Sequence, residues 1–466
     1  MKCVLELSKK QTLAFKYLMD KNTKVIVYGG AAGGGKSWLG SSWLITMCMA
    51  YPNTRWFVAR LELKKIYETT YESIRKVSRK MGLRRNHHWR HVKGEKKIVF
   101  HNGSEILFVE TKLKPGDPFF ERIGSTEYTG GFIEEASEID ILAYDMLRIR
   151  VHRHLNEEYG LLGKILMTCN PKKNWLYTKF YKPYENGDLP KKYAFIQSTV
   201  YDNPMISVEY INNLRDMHSE IHSERLFGGD WNYGDEPNQL IAYEWVEECF
   251  QSQKIEGVRY MGVDVADSRG ADSSVIVILN GNSLSYIHQF KPNEIDPSDL
   301  ANEVIYEADA HKVDYKNIAI DGDGVGAGTY GSLVNRKYDV YRVESGRKAV
   351  HTPETKEYKF NVLKSQMWWV AREALRKKEV HIGLEVNSDK GLQLISELCS
   401  VRYETKGNKA FKVEAKEEVR SRLGRSPDLA DAFVYALWIR HLRRVRRDNV
   451  FSSVYHVAKS MGDVLF

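Results

Sequence analysis

Gly30-Ala31-Ala32-Gly33-Gly34-Gly35-Lys36-Ser37 reads G-x-x-x-x-G-K-S without a mismatch, and its flanks decide how the first half of the chain folds. Lys24-Val-Ile-Val-Tyr28 before it is β-branched and apolar, as a buried parallel strand should be, and Trp38 to Met49 after it can continue as a buried helix. Strand, glycine loop and helix in that order make a phosphate cradle. The glycines Gly30, Gly33, Gly34 and Gly35 let successive backbone N–H groups turn inward, and the helix N-terminus adds positive potential. Lys36 then reaches the β and γ phosphates of a nucleotide, and Ser37 can hold Mg²⁺. A glycine-rich turn that binds nothing is the alternative, and it gives no reason for motif, strand and helix to coincide.

A chain of 466 residues is too long for one ordinary core, and two large α/β domains fit it best. Its aliphatic and aromatic content is that of a packed globular protein, which excludes wholesale disorder. The formal charge of +8 is compatible with a polyanionic partner without requiring one. Cys3, Cys48, Cys169, Cys249 and Cys399 are scattered and never form a C-x-x-C pair, so neither a disulfide framework nor a zinc site is indicated. The longest apolar stretch, near Leu44 to Ala50, is far shorter than a membrane span, and the N-terminus lacks a signal pattern. A soluble chain in a reducing compartment is expected.

Upstream of the glycine loop, Leu7, Gln11, Phe15 and Leu18 fall at helical spacing. Gln11 either reads an adenine edge with its carbonyl and amide together or is an ordinary surface residue. Arg55 to Ala59 reads as a strand with a helix after it to about Met81, and Lys97 to Val109 reads as a hairpin turning at Asn102-Gly103. Thr129-Gly-Gly-Phe-Ile-Glu134-Glu135 is an apolar strand ending in adjacent carboxylates. In the phosphate-binding reading Glu134 holds the water shell of Mg²⁺ and Glu135 orients and deprotonates the attacking water, whereas the bland reading is solvated charge. Lys164-Ile-Leu-Met-Thr168-Cys-Asn170-Pro171 is a further strand, expected beside the acidic one, that can sense the γ-phosphate through Thr168 or Asn170. Ala194 to Val200 supplies another strand, a helical segment runs to Leu226, and the turn-rich Asn232 to Asn238 marks a domain boundary.

The second half restarts with strands. Arg259 to Asp264 is apolar up to its final carboxylate, and Asp272 to Leu279 and Leu284 to Phe290 form a meander about Asn280-Gly281, followed by a helix from Ala301 to Ala310. Asn317-Ile-Ala-Ile-Asp321-Gly-Asp323 is a strand running into a glycine-rich turn, and Ser426-Pro427-Asp428-Leu-Ala-Asp431 opens a helix with two aspartates on one face. Asp264, Asp321 and Asp431 together have the chemistry of a two-metal phosphodiesterase, in which converging hard oxygens hold a pair of ions. Taken singly, each reads as a cap or a turn residue, Asp428 above all. Basic residues from Lys406 to Arg422 and from Arg440 to Arg447 are either a grip on a DNA backbone or solvated faces and a flexible basic tail.

From Gln11 to about Trp438 these segments, in this order, resemble the large terminase subunit of tailed bacteriophages. The resemblance implies an α/β chain: an N-terminal P-loop ATPase of the ASCE type with a mostly parallel sheet (1–235, with 201–235 a lid and linker), an RNase H-like nuclease with a mixed sheet (236–441), and a basic C-terminal tail (442–466). It implies a motor that hydrolyses ATP to drive double-stranded DNA into a procapsid and cuts concatemeric DNA. Gln11, Gly30, Gly33, Gly34, Gly35, Lys36, Ser37 and Glu134 would bind ATP and Mg²⁺, Glu135 would be the base, and Thr168 and Asn170 would couple hydrolysis to movement. Asp264, Asp321 and Asp431 would be the catalytic ligands of two Mg²⁺ or Mn²⁺ ions, with Asp428 and Asp323 accessory and Lys416 neutralising charge on the DNA or the transition state. Some relatives carry an arginine inside the P-loop. Ala31 and Ala32 stand here instead, so the arginine finger is expected from Arg122, Arg148 or Arg150 across a subunit contact. The partners implied are double-stranded DNA, a small terminase subunit and the portal protein, with a homo-oligomeric ring on the portal and no membrane. The setting implied is the cytoplasm of an infected bacterium, outside the finished virion. A helicase or repair ATPase fused to a nuclease, or a DNA-binding scaffold with structural carboxylates, are the competing readings.

Overall fold

Val25–Gly30 (β1) is buried along its whole length because a parallel strand flanks it on each side, Ile165–Cys169 (β7) and Tyr193–Ser198 (β8). It belongs to the first of two compact units, Met1–Glu236 and Pro237–Phe466. The computed structural model describes residues 6–114, 117, 119–215, 224–232, 238–267, 272–350, 359–406 and 410–462. Parts of the expected boundary turn (233–237), of the lid (216–223 and 233–235) and of the basic stretch (407–409) lie outside the described residues.

The first unit is built on an eight-stranded sheet, whose remaining strands are Arg55–Arg60 (β2), Trp89–Val92 (β3), Lys97–Phe100 (β4), Glu105–Glu110 (β5) and Gly130–Ile133 (β6). In the order β3-β4-β5-β2-β6-β7-β1-β8 every neighbouring pair is parallel except β3–β4 and β4–β5, so β4 alone runs against the rest. The acidic strand β6 is separated from β1 by β7, which is the extra strand that defines the ASCE arrangement. Lys9–Met19 (α1) precedes the sheet, and Lys36–Ala50 (α2) packs its apolar surface onto it. The expected helix after β2 is interrupted: Leu63–Lys65 passes through a π-helical turn at Ile66–Thr70 into Tyr71–Lys80. The segment expected to be helical up to Leu226 is helical at Val208–Arg215 and π-helical at Glu224–Gly228.

The second unit carries a six-stranded sheet ordered β13-β12-β9-β10-β11-β15. Arg259–Asp264 (β9), Val275–Asn280 (β10) and Ser283–Gln289 (β11) form the antiparallel meander, and Ile318–Asp321 (β12) and Tyr341–Val343 (β13) run parallel beside β9. Three antiparallel strands continued by two parallel ones on the side of the first strand is the RNase H-like order. Lys359–Phe360 (β14), His381–Ile382 (β15), Tyr403–Lys406 (β16) and Ala410–Val413 (β17) are too short to have shown a pattern, and all except β15 form a small second sheet. The final helix, Asp428–Gly462, lies across β9, β10 and β12. Contact is closest at Gly262, where a Cβ would stand 2.0 Å from the Ala432 carbonyl oxygen. The stretch 442–466, expected as a tail, continues this helix as far as Gly462. Arg440 and Arg443 tie the helix down by donating to the carbonyls of Glu379 and Lys316.

Candidate active sites

The glycine loop is held open by bonds to its own carbonyls. Asn203 Nδ2 donates to Gly33 O (2.6 Å), Tyr28 Oη to Gly34 O (3.2 Å) and Gln11 Nε2 to Gly35 O (2.9 Å). Gly30 has φ +152° and lies so close to β8 that a Cβ would stand 1.9 Å from Ser198 O, and Gly35 has φ +74°, so both need glycine. The first intrahelical bond of α2 runs from Leu39 N to Gly35 O (3.1 Å), which leaves the amides of Lys36, Ser37 and Trp38 as first-turn donors. Gln11 is buried rather than a surface residue. Its other amide atom accepts from Ser8 N (2.8 Å) in a capping box of α1, so its side chain is committed to the P-loop and to its own helix start.

Lys36 is buried, and its Nζ donates to Gly30 O (3.1 Å), Ala31 O (2.6 Å) and Asn170 Oδ1 (2.8 Å). Burial pushes its ammonium below the ordinary lysine range, against the opposing pull of Glu135 and Glu134. Asn170 Nδ2 reaches Glu135 Oε2 at 3.5 Å, so one carboxamide bridges the P-loop lysine and the second acidic residue. Glu135 stands in the left-handed region (φ 53°), and burial raises its carboxyl above the usual range, with Lys36 opposing. Thr168, on β7 two residues before Asn170, is buried. Ser37 is half-buried in the first turn of α2.

Glu134 is held differently. Thr70 donates a short hydrogen bond to its Oε2, and Arg60 Nη1 lies 3.7 Å from the same oxygen. Arg60 is buried and also donates to Thr69 Oγ1 (2.5 Å). Neither Arg60 nor Thr70 was singled out from the sequence, although a guanidinium closing an otherwise apolar strand was a usable signal. Two of the three expected finger arginines are engaged elsewhere, Arg122 with Asp117 (2.5 Å) and the Glu110 carbonyl and Arg148 with Asp145 (3.0 Å), while the Arg150 Nε is buried without an acceptor among the described residues.

In the second unit, Asp264 ends β9 and Asp321 ends the adjacent parallel strand β12, so both leave the sheet at one edge. The final helix brings Asp428 and Asp431 over that edge. All three of Asp264, Asp428 and Asp431 are buried, and Lys416 Nζ sits among them at 3.3, 3.1 and 3.3 Å. Burial raises the Asp264 carboxyl well above its usual range, with Asp431, Asp428 and Asp321 adding to the rise and Lys416 opposing it. Asp321 is pushed up to about 6, again chiefly by burial. Burial also works against the Lys416 charge, but Asp264, Asp428 and Asp431 outweigh it and hold the ammonium protonated well above the ordinary lysine range. Asp428 also accepts from Ser273 N (2.9 Å), which makes it a connector as well as a cluster member.

Asp323 accepts from Ser345 N (2.8 Å) with its carboxylate, and its own amide donates to Asp321 Oδ1 (3.1 Å), so it helps orient Asp321. Tyr435, one helical turn beyond Asp431, is buried against the carboxylates, and burial followed by Asp321, Asp431 and Asp264 raises its hydroxyl pKa. Its i, i+4 spacing from Asp431 was the legible signal. Lys364 feels the charge of Asp431 and Lys416 and donates to Glu414 O (2.9 Å), which sequence alone gave no reason to select. Several buried carboxylates sharing one ammonium form a donor set suited to hard divalent cations.

Residues 21–225 match the family model described as phage terminase large subunit. A probable terminase large subunit of Enterobacteria phage P7 is 28% identical over 199 residues, 41% of this chain and 38% of that protein, so the match spans well under half of the relative's length. Among solved structures, the large terminase of the thermophilic bacteriophage D6E is similar with a TM-score of 0.42 at 13% identity, covering 93% of this chain and 98% of that one. The nuclease domain of the large terminase subunit gp2 of bacterial virus Sf6 has a TM-score of 0.37 at 21% identity, covering 43% and 98%.

Proposed function

We propose, from the match of residues 21–225 to the phage terminase large subunit family, that the chain is a DNA-packaging ATPase with a metal-dependent nuclease in its second unit. The observation that carries the nuclease half is the convergence of Asp264, Asp428 and Asp431 on Lys416, at the edge where β12 delivers Asp321.

In the ATPase the P-loop amides and Lys36 receive the phosphates. A γ-phosphate at Lys36 draws its ammonium away from the Gly30 and Ala31 carbonyls, and Asn170, bonded to the same ammonium, moves with it. Because Asn170 also reaches Glu135, occupancy of the loop is reported directly to the base. Burial raises the pKa of Glu135 and so makes it a stronger acceptor for the proton of an attacking water. Glu134, fixed by Thr70 and Arg60, would with Ser37 hold Mg²⁺, which would supply charge neutralisation at the phosphates, and Thr168 with Asn170 would couple hydrolysis to movement. A neighbouring copy supplies the arginine finger from Arg122, Arg148 or Arg150.

In the nuclease, Asp264, Asp321 and Asp431, with Asp428 accessory, would hold two Mg²⁺ or Mn²⁺ ions, which supply an activated water and charge stabilisation at the cleaved phosphodiester. Lys416 supplies positive charge to the carboxylates here, and with metal ions in their place it would be available to the phosphate backbone. Double-stranded DNA, a small terminase subunit and a portal protein are the partners of this reading, with a ring of copies on the portal in the cytoplasm of the infected bacterium. No helix among the described residues is long and apolar enough to cross a membrane. Asp321→Ala should abolish Mn²⁺-dependent plasmid cutting and spare ATP hydrolysis, and Glu135→Ala should do the reverse. Loss of both activities in each variant would overturn the two-site assignment, and unwinding of a blunt duplex would favour a helicase.

A further inference from the structure

A second set of metal-ligating side chains lies between β11 and the helix Pro297–Ala310, separate from the Lys416 cluster. The two-residue alternation of β11 puts Tyr286 and His288 on one face. Glu303 and Glu307 stand one turn apart on the helix, and His311 follows at the same spacing just past its end. Glu307 is 4% exposed, and its Oε1 receives the Tyr286 hydroxyl (2.6 Å) and His288 Nδ1 (2.9 Å), while His311 Nε2 lies 3.4 Å from Oε2. One ligand atom each of His288, Glu303 and Glu307 lies within 4.8 Å of the others. Among the described residues no lysine or arginine forms an ion pair with either glutamate; the ion-pair partners of Glu307 are the two histidines. Two carboxylates are thus held together with only imidazoles to offset their charge, and His288 and Glu303 remain half-exposed and reachable from solvent.

We propose that His288, Glu303 and Glu307 bind a divalent transition-metal ion of the zinc class, with His311 acting on the outer oxygen of Glu307 to orient it. Metal–nitrogen and metal–oxygen bonds of about 2.0–2.2 Å separate tetrahedral ligands by roughly 3.4 Å, so ligand atoms already within 4.8 Å of one another close on an ion by side-chain rotation. Mixed imidazole and carboxylate donors suit Zn²⁺ better than Mg²⁺, which sets this place apart from the all-oxygen cluster. Binding through His288 Nδ1 replaces the His288–Glu307 hydrogen bond, with the imidazole proton carried on Nε2. The role is structural. Only Ser283 and Leu284 of β11 pair with β15, so the half of β11 that carries Tyr286 and His288 is laddered on the β10 side alone, and a metal clip would fasten it to the helix.

Metal-stripped full-length protein would be titrated with Zn²⁺ against a chromophoric chelator, comparing the unaltered chain with His288→Ala, Glu303→Gln and Asp321→Asn. The expected result is loss of one zinc equivalent, or at least tenfold weaker binding of it, in the first two variants with unchanged far-UV circular dichroism. Asp321→Asn should retain that equivalent. Glu303 is half-exposed, so Glu303→Gln decides the matter even if His288→Ala misfolds. Unchanged zinc stoichiometry and affinity in Glu303→Gln would overturn the proposal and leave a hydrogen-bonded cluster only.

Discussion

Single side chains carry the sharpest expectations. Glu135→Gln keeps the shape and removes the proposed base, so steady-state ATP hydrolysis should fall by about 10²–10⁴-fold while nucleotide affinity, measured by fluorescence, holds. Lys416 neutralises a buried carboxylate cluster, so Lys416→Ala should lower the melting temperature in EDTA, and added Mn²⁺ should restore most of the loss; an equal deficit with and without Mn²⁺ would argue against the lysine standing in for metal charge. The pH dependence follows from Asp321. Its native carboxyl keeps a proton up to about pH 6, whereas the unfolded chain gives it up near 3.8, so between those values the native state binds more protons and metal-free stability declines as pH rises. A metal ion must displace that proton, so Mn²⁺ affinity by calorimetry should climb steeply from pH 5 to 6 and less steeply above, whereas a flat profile would mean that the cluster rests ionised.

Elements determine whether those side chains meet. The final helix presses on β9 at Gly262, where an added Cβ would stand 2.0 Å from Ala432 O and 2.5 Å from Ala436 N. Gly262→Ala should therefore push Asp431 and Asp428 away from Asp264, destabilise the second unit by about 2 kcal/mol or more, and reduce DNA cutting while ATP hydrolysis persists. The helix start is fixed from beneath by Glu397, whose Oε2 accepts from Ala430 N (2.9 Å) while Arg425 lies 3.5 Å away. The principal strands were readable because apolar runs ended in carboxylates or turn residues. The π-helical turn at Ile66–Thr70, which places Thr70 on Glu134, was not, because no local pattern distinguishes it from an ordinary helix.

For the whole molecule, the division into Met1–Glu236 and Pro237–Phe466 leads to the expectation that the two proposed activities are separable. A fragment beginning near Pro237 should melt cooperatively and cut plasmid DNA with Mn²⁺, and the complementary fragment should bind ATP. Failure of either fragment to fold would show that each half of the chain depends on the other. The basic residues near the C-terminus illustrate how local and global readings differ: Arg440 to Arg447 looks like a tail in isolation, but Arg440, Arg443 and Arg444 are spent on Glu379 and Lys316 along the continuing helix.

By itself the sequence determined the glycine loop, the acidic ends of the strands and their order, because phosphate and metal chemistry restricts residue type at fixed local spacing and hydrophobic period marks the strands that carry them. Only the tertiary structure decided which charges share a site. Lys416 and Asp264 are 152 positions apart yet 3.3 Å across the cluster, the Arg60–Glu134 contact joins the ends of two strands that are neighbours in the sheet but distant in the chain, and the Asn170–Lys36 contact joins the end of β7 to the start of α2. The physical reason is that burial and long-range pairing set the protonation and partners of these groups, and both depend on how the sheets and the last helix pack rather than on any local pattern.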